Sequence, residues 1–134
     1  YAYSKFLESD VVIGYKQRAK ANVITDIELI GDVTGKNVVL VDDMVDTAGT
    51  LTHAADLMMQ KGALSVRAIR THAVLSGDAH EKIENSRLEE LIVTDTIPPK
   101  KKSKKIKVLS CAKIFAETMH NVHHNKSISS NYII

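Results

Sequence analysis

Residues 38–50 read VVLVDDMVDTAGT, and this stretch decides how the rest of the sequence is interpreted. Residues 38–41 are apolar and predict a short buried strand. Acids follow at positions 42, 43 and 46, and the small residues of 47–50 precede an apolar helical pattern. A turn between a strand and a helix is where α/β proteins bind phosphate, because the helix N-terminus offers unpaired N–H groups and the positive end of its dipole.

The residue types in this turn predict a ligand that carries both a phosphate and a diol. Gly49 lets the backbone approach a ligand closely, and the hydroxyls of Thr47 and Thr50 each offer a further hydrogen bond. Carboxylates repel a phosphate, so Asp42 and Asp43 must have another task. They can accept hydrogen bonds from sugar hydroxyls or face a Mg²⁺ ion. Ribose 5-phosphate is a ligand of this description.

Three other interpretations of the acidic turn fit less well. A P-loop nucleotidase needs a Gly-x-x-x-x-Gly-Lys-Ser/Thr segment, which the sequence does not contain. An aspartyl-phosphate enzyme has an acid two residues after its nucleophile, whereas the acids here stand at 42, 43 and 46. The plain structural interpretation is a strand end with solvated acids and a helix cap. We favour ligand binding because acids, glycine and threonines coincide at the carboxyl edge of a predicted parallel sheet.

The order of the predicted elements indicates an α/β fold around this strand. Apolar residues spaced three and four apart from Leu51 to Met58 predict a helix that Gly62 ends, and residues 66–71 predict the next strand. This βαβ unit implies a parallel sheet with a right-handed crossover. The other predicted strands are 11–14, 24–30, 91–94, 106–109 and 132–134, and the other helices are 1–9, 78–85 and a segment after Ser110.

Local signals predict how two helices begin and how the first two strands pair. Asp78 followed by Glu81 is typical of a capping box, and Ser110 is the predicted cap of the last helix. The first two strands are expected to pair back on each other, with the cationic residues 15–22 between them. A charge run of this kind ordinarily indicates a solvated surface, but it can also stabilise a transferring phosphoryl group.

Composition and charge limit the classes of partner. The formal net charge of +2 gives no argument for nucleic acid. Residues 100–107 include six lysines without an aromatic residue to stack on bases, so an exposed linker is predicted there. The longest apolar runs are too short to span a membrane, and the single Cys111 fits a reducing compartment. We expect a cytoplasmic protein that binds neither nucleic acid nor membranes.

Two groups of histidines have competing interpretations. His120, His123 and His124 are spaced closely enough for a metal, although a polar helix C-terminus with favourable dipole contacts is the simpler prediction. His72 follows a predicted strand at the same sheet edge as the acidic turn. It either lines the pocket or forms a hydrogen bond in the core, and the sequence favours neither.

The sequence resembles the C-terminal half of ribose-phosphate pyrophosphokinases, also called phosphoribosyl pyrophosphate synthetases. The acidic turn alone would also fit type I phosphoribosyltransferases. The Lys-x-Arg stretch that begins at Lys16 and the Thr-Asp-Thr-Ile-Pro stretch at 94–98 make the synthetase the more specific match. The resemblance runs nearly end to end, through residues 15–22, 31–33, 41–50, 71–72, 75–77, 83–85, 93–98 and 127–129.

The resemblance implies an α/β domain of the type I phosphoribosyltransferase kind, with helices on both faces of a parallel sheet and a small antiparallel flap. Residues 1–134 would be the C-terminal domain of a longer two-domain chain, whose other domain supplies most of the ATP pocket and Mg²⁺ ligands. A start without Met, inside a predicted helix, leads to the same expectation.

The implied enzyme transfers the diphosphoryl group of MgATP to the 1-hydroxyl of ribose 5-phosphate, giving phosphoribosyl pyrophosphate and AMP for nucleotide biosynthesis. Its substrates would be ATP and ribose 5-phosphate, its cofactor Mg²⁺, and its assembly a homo-oligomer, commonly a hexamer built from dimers. We expect residues 1–134 alone to be inactive.

By the same resemblance, two sets of residues bind the acceptor. Asp42 and Asp43 would bind the ribose hydroxyls, directly or through Mg²⁺. The 5-phosphate would be held by Asp46, Thr47, Ala48, Gly49 and Thr50.

Catalytic and regulatory roles are implied elsewhere in the chain. Lys16 and Arg18, with Asn22 in the same loop, match a catalytic loop that stabilises the transferring group. Ser127 and Ser129 match positions of a regulatory phosphate or ADP site. The sequence departs from the family's usual tail at Tyr132, where Phe is usual, and at the pair 130–131.

Two other functions remain open. A type I phosphoribosyltransferase would share the acidic turn and would release pyrophosphate with a nucleobase acceptor. A non-catalytic regulatory subunit of the synthetase should have a degraded turn, whereas residues 41–50 are intact.

Overall fold

The computed structural model describes residues 2–16 and 27–132. The chain divides into two compact units, one of residues 12–109 and one of residues 1–11 with 110–134. In chain order the elements are α1 (Ala2–Leu7), β1 (Ile13–Lys16), β2 (Ile27–Ile30), β3 (Asn37–Val45), α2 (Gly49–Gln60), β4 (Ser65–Ala73), α3 (Ala79–Asn85), β5 (Glu90–Thr94), β6 (Ile106–Leu109), α4 (Ala112–His123) and a 3₁₀ helix (Ser129–Asn131).

The larger unit is a parallel four-stranded sheet in the order β3-β4-β5-β6, flanked by helices, with a separate antiparallel pair β1-β2. The predicted fold class is therefore confirmed. Alternate strand residues face one side of a sheet, and Val66, Ala68 and Leu91 on that side are buried. Leu51 and Met58 of α2 are buried in the same core cluster, as the helical spacing predicted.

Strand β3 is longer and less buried than the sequence predicted. It continues through Asp42 and Asp43 to Val45, because its parallel pairing with β4 extends as far as Val45 and Ala73. Backbone hydrogen bonds carry this pairing whatever the side-chain polarity. β3 is the edge strand of the described sheet, and Val39 and Val41 are each 43% exposed. The prediction of a buried strand at 38–41 was wrong in this respect.

The described pairing of β1 with β2 confirms the predicted antiparallel flap. Ile13 is opposite Ile30 and Lys16 is opposite Ile27. The first strand begins at Ile13 rather than at 11. Residues 17–26, which include Arg18 and Asn22, lie outside the described residues, so the structure does not test the predicted catalytic loop.

The two predicted helix caps have different outcomes. Asp78 precedes α3, but its carboxylate makes no cap hydrogen bond and pairs instead with Lys82 Nζ at 2.8 Å. The capping-box prediction was therefore wrong, because a lysine one turn later competes for the carboxylate. Ser110 does accept a hydrogen bond from the Ala112 N–H at 3.2 Å, although the residue that caps α4 is Cys111.

The unit of residues 1–11 and 110–134 contains α1, α4 and the 3₁₀ helix. Tyr132 follows the 3₁₀ helix without strand structure, and residues 133–134 lie outside the described residues, so the predicted edge strand at 132–134 is not found at Tyr132. Across the described residues, the helices are too short or too polar to cross a bilayer.

The lysine-rich segment between β5 and β6 is anchored to α3. The Ser103 hydroxyl and the Lys104 N–H both donate to Oε1 of Glu84, the second at 3.1 Å. Lys105 Nζ donates to the Ser86 carbonyl at 2.7 Å. These hydrogen bonds hold the segment at the C-terminal end of α3, where the chain passes to the last strand of the sheet.

Acidification is expected to release this segment from α3. The hydrogen bond from Ser103, followed by those from the backbone of Lys104 and Lys105, lowers the pKa of the Glu84 carboxyl. Since the folded-state pKa is the lower one, the anchor contributes stability above the unfolded-state pKa and loses it as pH falls through the folded-state pKa.

The amide shift of Lys104, followed by NMR from neutral pH downward, should report this transition below the ordinary pKa of glutamate. Glu84→Gln keeps an acceptor oxygen but cannot titrate, so it should abolish the transition. A Lys104 shift that titrates identically in both proteins would contradict the assignment.

Candidate ligand site at the carboxyl edge of the sheet

The turn from β3 into α2 has the geometry of an anion site. Ala48 caps α2 in a left-handed conformation, with φ of +61°, and makes no side-chain cap hydrogen bond. A positive φ is uncommon for a residue other than glycine and is found at functional sites. Among the described residues no side chain caps the helix, so its first N–H groups remain available to a ligand.

The space next to this turn is open. Of the residues that the structure describes, a Cβ added at Gly49 would meet only the Thr47 hydroxyl, at 4.0 Å. The protein itself therefore does not require glycine at position 49. This fits the prediction that the small residue leaves room for a ligand to approach the backbone.

The two adjacent acids are not equivalent. Because β3 continues through them, they leave the strand on opposite sides. Asp42 is paired in register with Arg70 of β4, and its Oδ1 accepts the Asp43 N–H at 3.1 Å. The side chain of Asp42 is 64% exposed. The acids therefore offer two separately directed carboxylates.

Arg70 is a buried cation beneath the acidic strand end, and the sequence reasoning missed it. Its Nη1 donates to the carbonyls of Leu40 at 2.8 Å and Ile69 at 2.9 Å, and its Nη2 lies 4.0 Å from Asp42 Oδ2. Burial lowers the pKa of Arg70, while the charges of Asp42 and Asp43 act in the opposite direction. An arginine at a core-facing position, alternating with Val66 and Ala68, was the available signal.

Arg70→Ala is expected to destabilise the chain by about 2–4 kcal/mol, because it removes charge-assisted hydrogen bonds to two carbonyls and leaves a cavity. Arg67→Ala on the opposite face of β4 is the matched control. Arg67 pairs with Glu89 at 2.7 Å, and the side chains are 45% and 47% exposed. Such exposed pairs contribute less than about 1 kcal/mol. Urea unfolding measures both variants, and equal losses would contradict the role given to Arg70.

His72 lies within β4 rather than in the loop predicted after it, and it belongs to a hydrogen-bonded network. Its Nδ1 is 2.9 Å from the Thr96 hydroxyl. The Thr96 hydroxyl is in turn 2.9 Å from the Thr94 hydroxyl. The Thr94 hydroxyl donates to the Thr71 carbonyl at 2.6 Å. The Thr96 hydroxyl also lies 3.2 Å from the Thr71 carbonyl, so the network links His72 and Thr71 of β4 to the two threonines at and after the end of β5.

This network supports one of the two interpretations of His72, namely that the side chain forms a hydrogen bond within the protein. Its Nδ1 contacts the Thr96 hydroxyl, two residues after the end of β5, so the hydrogen-bonding interpretation is confirmed. Thr94 and Thr96 were not predicted as network members, since only the tertiary fold brings them to β4.

Among the described residues, no three His, Cys, Asp or Glu side chains gather as a metal site. A single exposed carboxylate, of Asp42 or of Asp43, still fits Mg²⁺, which is commonly bound through one or two carboxylates, waters and substrate phosphates. The His120 and His124 ring centroids are 4.2 Å apart with the rings tilted by 33°, and His124 Nδ1 lies 2.8 Å from the His120 carbonyl. These contacts support the prediction of a polar helix C-terminus.

The remaining predicted site residues are distributed over the chain. Lys16 ends β1, and Arg18 lies outside the described residues. The hydroxyls of Ser127 and Ser129 are 2.8 Å apart, and Ser127 Oγ also accepts the Ser129 N–H at 3.2 Å. These two serines form a local turn before and at the start of the 3₁₀ helix.

A parallel sheet whose carboxyl edge carries acids before a helix N-terminus defines an α/β domain of the kind in which phosphate ligands commonly bind at that edge. The family model described as the phosphoribosyl synthetase-associated domain matches residues 10–133. The chain therefore belongs to this family, and the family predicted from the sequence is confirmed.

Several relatives share this region. The ribose-phosphate pyrophosphokinase of Wolinella succinogenes is 55% identical over 124 residues, covering 92% of this chain and 40% of the relative. That of Campylobacter jejuni is 52% identical over 130 residues, covering 97% and 42%. The crystal structure of phosphoribosylpyrophosphate synthetase from Mycobacterium smegmatis is similar with a TM-score of 0.72 and 38% identity, over 75% of this chain and 34% of that chain. This chain thus spans about 40% of the length of these curated relatives.

Proposed function

We propose that the chain is the acceptor-binding part of a ribose-phosphate diphosphokinase, which transfers the diphosphoryl group of ATP to the 1-hydroxyl of ribose 5-phosphate. The observation that carries this proposal is the end of β3, where two carboxylates precede an uncapped helix N-terminus. Its chemistry suits a sugar diol beside a phosphate. The names of the relatives support the same activity.

In this proposal, different residues of the chain bind different parts of the substrate. Asp42 and Asp43 accept hydrogen bonds from the ribose hydroxyls, and residues 46–50 receive the 5-phosphate at the start of α2. Arg70 fixes the strand beneath Asp42 through its two carbonyl contacts. Lys16 and Arg18 supply positive charge to the transferring group, which is the main catalytic requirement of phosphoryl-transfer chemistry.

Mg²⁺ is part of the proposal, because Asp42 and Asp43 each offer exposed hard oxygen ligands, one on either side of the strand. When bound, the ion would neutralise charge on the phosphates of the nucleotide. Asp43 is the more available ligand, since Asp42 is next to the Arg70 guanidinium.

Assembly and regulation are also proposals. A homo-oligomer is the expected assembly, and the turn at Ser127 and Ser129 is the candidate for a regulatory phosphate or ADP site.

The test separates acceptor binding from catalysis. Calorimetry should show that residues 1–134 bind ribose 5-phosphate, while an assay for AMP formation should detect no turnover by this chain alone. A chimera in which residues 10–133 replace the matching segment of the Wolinella succinogenes relative should restore AMP formation. A chimera that folds but neither binds ribose 5-phosphate nor forms AMP would refute the proposal. Pyrophosphate release with a nucleobase acceptor would indicate a phosphoribosyltransferase instead.

A further inference from the structure

The short connection after β4 is bonded to the phosphate turn. The N–H groups of Val74 and Leu75 both donate to the Val45 carbonyl, at 3.0 and 3.2 Å. The Ser76 N–H donates to the Asp46 carbonyl at 3.2 Å, and the Ser76 hydroxyl donates to Asp46 Oδ1. We call residues 74–76 the supporting turn.

The backbone of the supporting turn is shaped for these contacts. Leu75 has φ of +47° although it carries a large side chain, and it is only 5% exposed. A left-handed conformation is unfavourable for such a residue and persists only where the surroundings enforce it. Here the buried Leu75 side chain fixes the turn in the core, and the next residue meets Asp46. Ala48 in the phosphate turn is likewise left-handed and buried.

We propose that Ser76 is a positioning residue that holds the Asp46 carboxylate so that the turn 46–50 can accept a phosphate. A carboxylate that is free to turn toward a bound phosphate would repel it more strongly than one held away from it. The hydrogen bond from Ser76 commits one oxygen of that carboxylate to the supporting turn. The Asp46 backbone then contributes to binding the ligand, while the Asp46 side chain stabilises the turn. This inference rests on the proposed function, because it assigns the phosphate to residues 46–50.

The test is a double-mutant cycle on the 134-residue chain, with the Kd for ribose 5-phosphate measured by calorimetry. Ser76→Ala should raise the Kd about tenfold, as expected when a hydrogen bond to a charged group is lost. Ser76→Thr keeps the hydroxyl and should restore the Kd to within about twofold. In an Asp46→Ala background, Ser76→Ala should change the Kd by less than about twofold, because its partner is gone.

Two outcomes would overturn the role of Ser76. An unchanged Kd in Ser76→Ala would show that the hydrogen bond does not support binding. An equal loss in both backgrounds would show that Ser76 acts independently of Asp46. Thermal unfolding of each variant shows whether a loss comes from the turn or from the whole fold.

A second readout separates this inference from the proposed function. If the unmodified chain does not bind ribose 5-phosphate, the proposed function fails for this chain. The effect of Ser76 on the turn 46–50 is then measured from backbone ¹⁵N order parameters. These should fall at residues 47–50 in Ser76→Ala and not in Ser76→Thr. Order parameters that are the same in all three proteins would overturn the inference.

Discussion

Replacing Lys16 with alanine is expected to lower turnover roughly 100- to 1,000-fold and to leave the Kd for ribose 5-phosphate nearly unchanged. Lys16 ends β1, next to the stretch that resembles a catalytic loop. Negative charge redistributes on the transferring group mainly in the transition state, so a lysine that acts there affects kcat more than substrate binding. The effect should be measured in the chimera with the Wolinella succinogenes relative, which supplies the rest of the longer chain.

Lys101→Ala is the matched control for this experiment. It removes one lysine from the exposed segment between β5 and β6, and it should leave turnover within about twofold because a solvated surface charge contributes little. Steady-state rates of AMP formation and calorimetry together separate kcat from binding. If Lys16→Ala weakened ribose 5-phosphate binding as much as it lowered turnover, Lys16 would belong to the acceptor site.

Asp43→Ala should produce the second large effect, a rise in the Kd for ribose 5-phosphate of roughly 10- to 100-fold. Asp43 is at the exposed end of β3, on the opposite side of the strand from Arg70. Its carboxylate can accept two charge-assisted hydrogen bonds from a diol, and alanine accepts none. Calorimetry on residues 1–134 measures the change directly, with no need for turnover.

Two variants make the result specific to the carboxylate. Asp43→Asn keeps one acceptor oxygen and should lose less affinity than alanine. Glu81→Ala removes an equal charge from the exposed side of α3 and should have almost no effect, since screening weakens a distant charge. A loss of similar size in Glu81→Ala would mean that net charge, and not a contact with the sugar, controls binding.

The candidate site shows which of its features could be predicted from residues close together in the sequence. The strand, the turn and the helix around residues 38–58 were predicted in the right order because apolar spacing and small turn residues act over a few positions. The uncapped start of α2 follows from the same local chemistry. Arg70 and Ser76 were not assigned to the site, because each reaches it through a neighbouring strand or turn. Thr94 and Thr96 were missed for the same reason, since they contact His72 only across the sheet.

The sequence by itself determined the family, the α/β order of elements and the residue types at the carboxyl edge of the sheet. Their signals are short motifs and periodic apolar positions, which do not depend on distant parts of the chain. Only the tertiary structure decided that β3 runs through its acids, that Arg70 is buried beneath Asp42, and that Ser76 bonds Asp46. Strand pairing and burial are set by residues far apart in the chain, so the environment of a carboxylate is fixed only when the sheet forms.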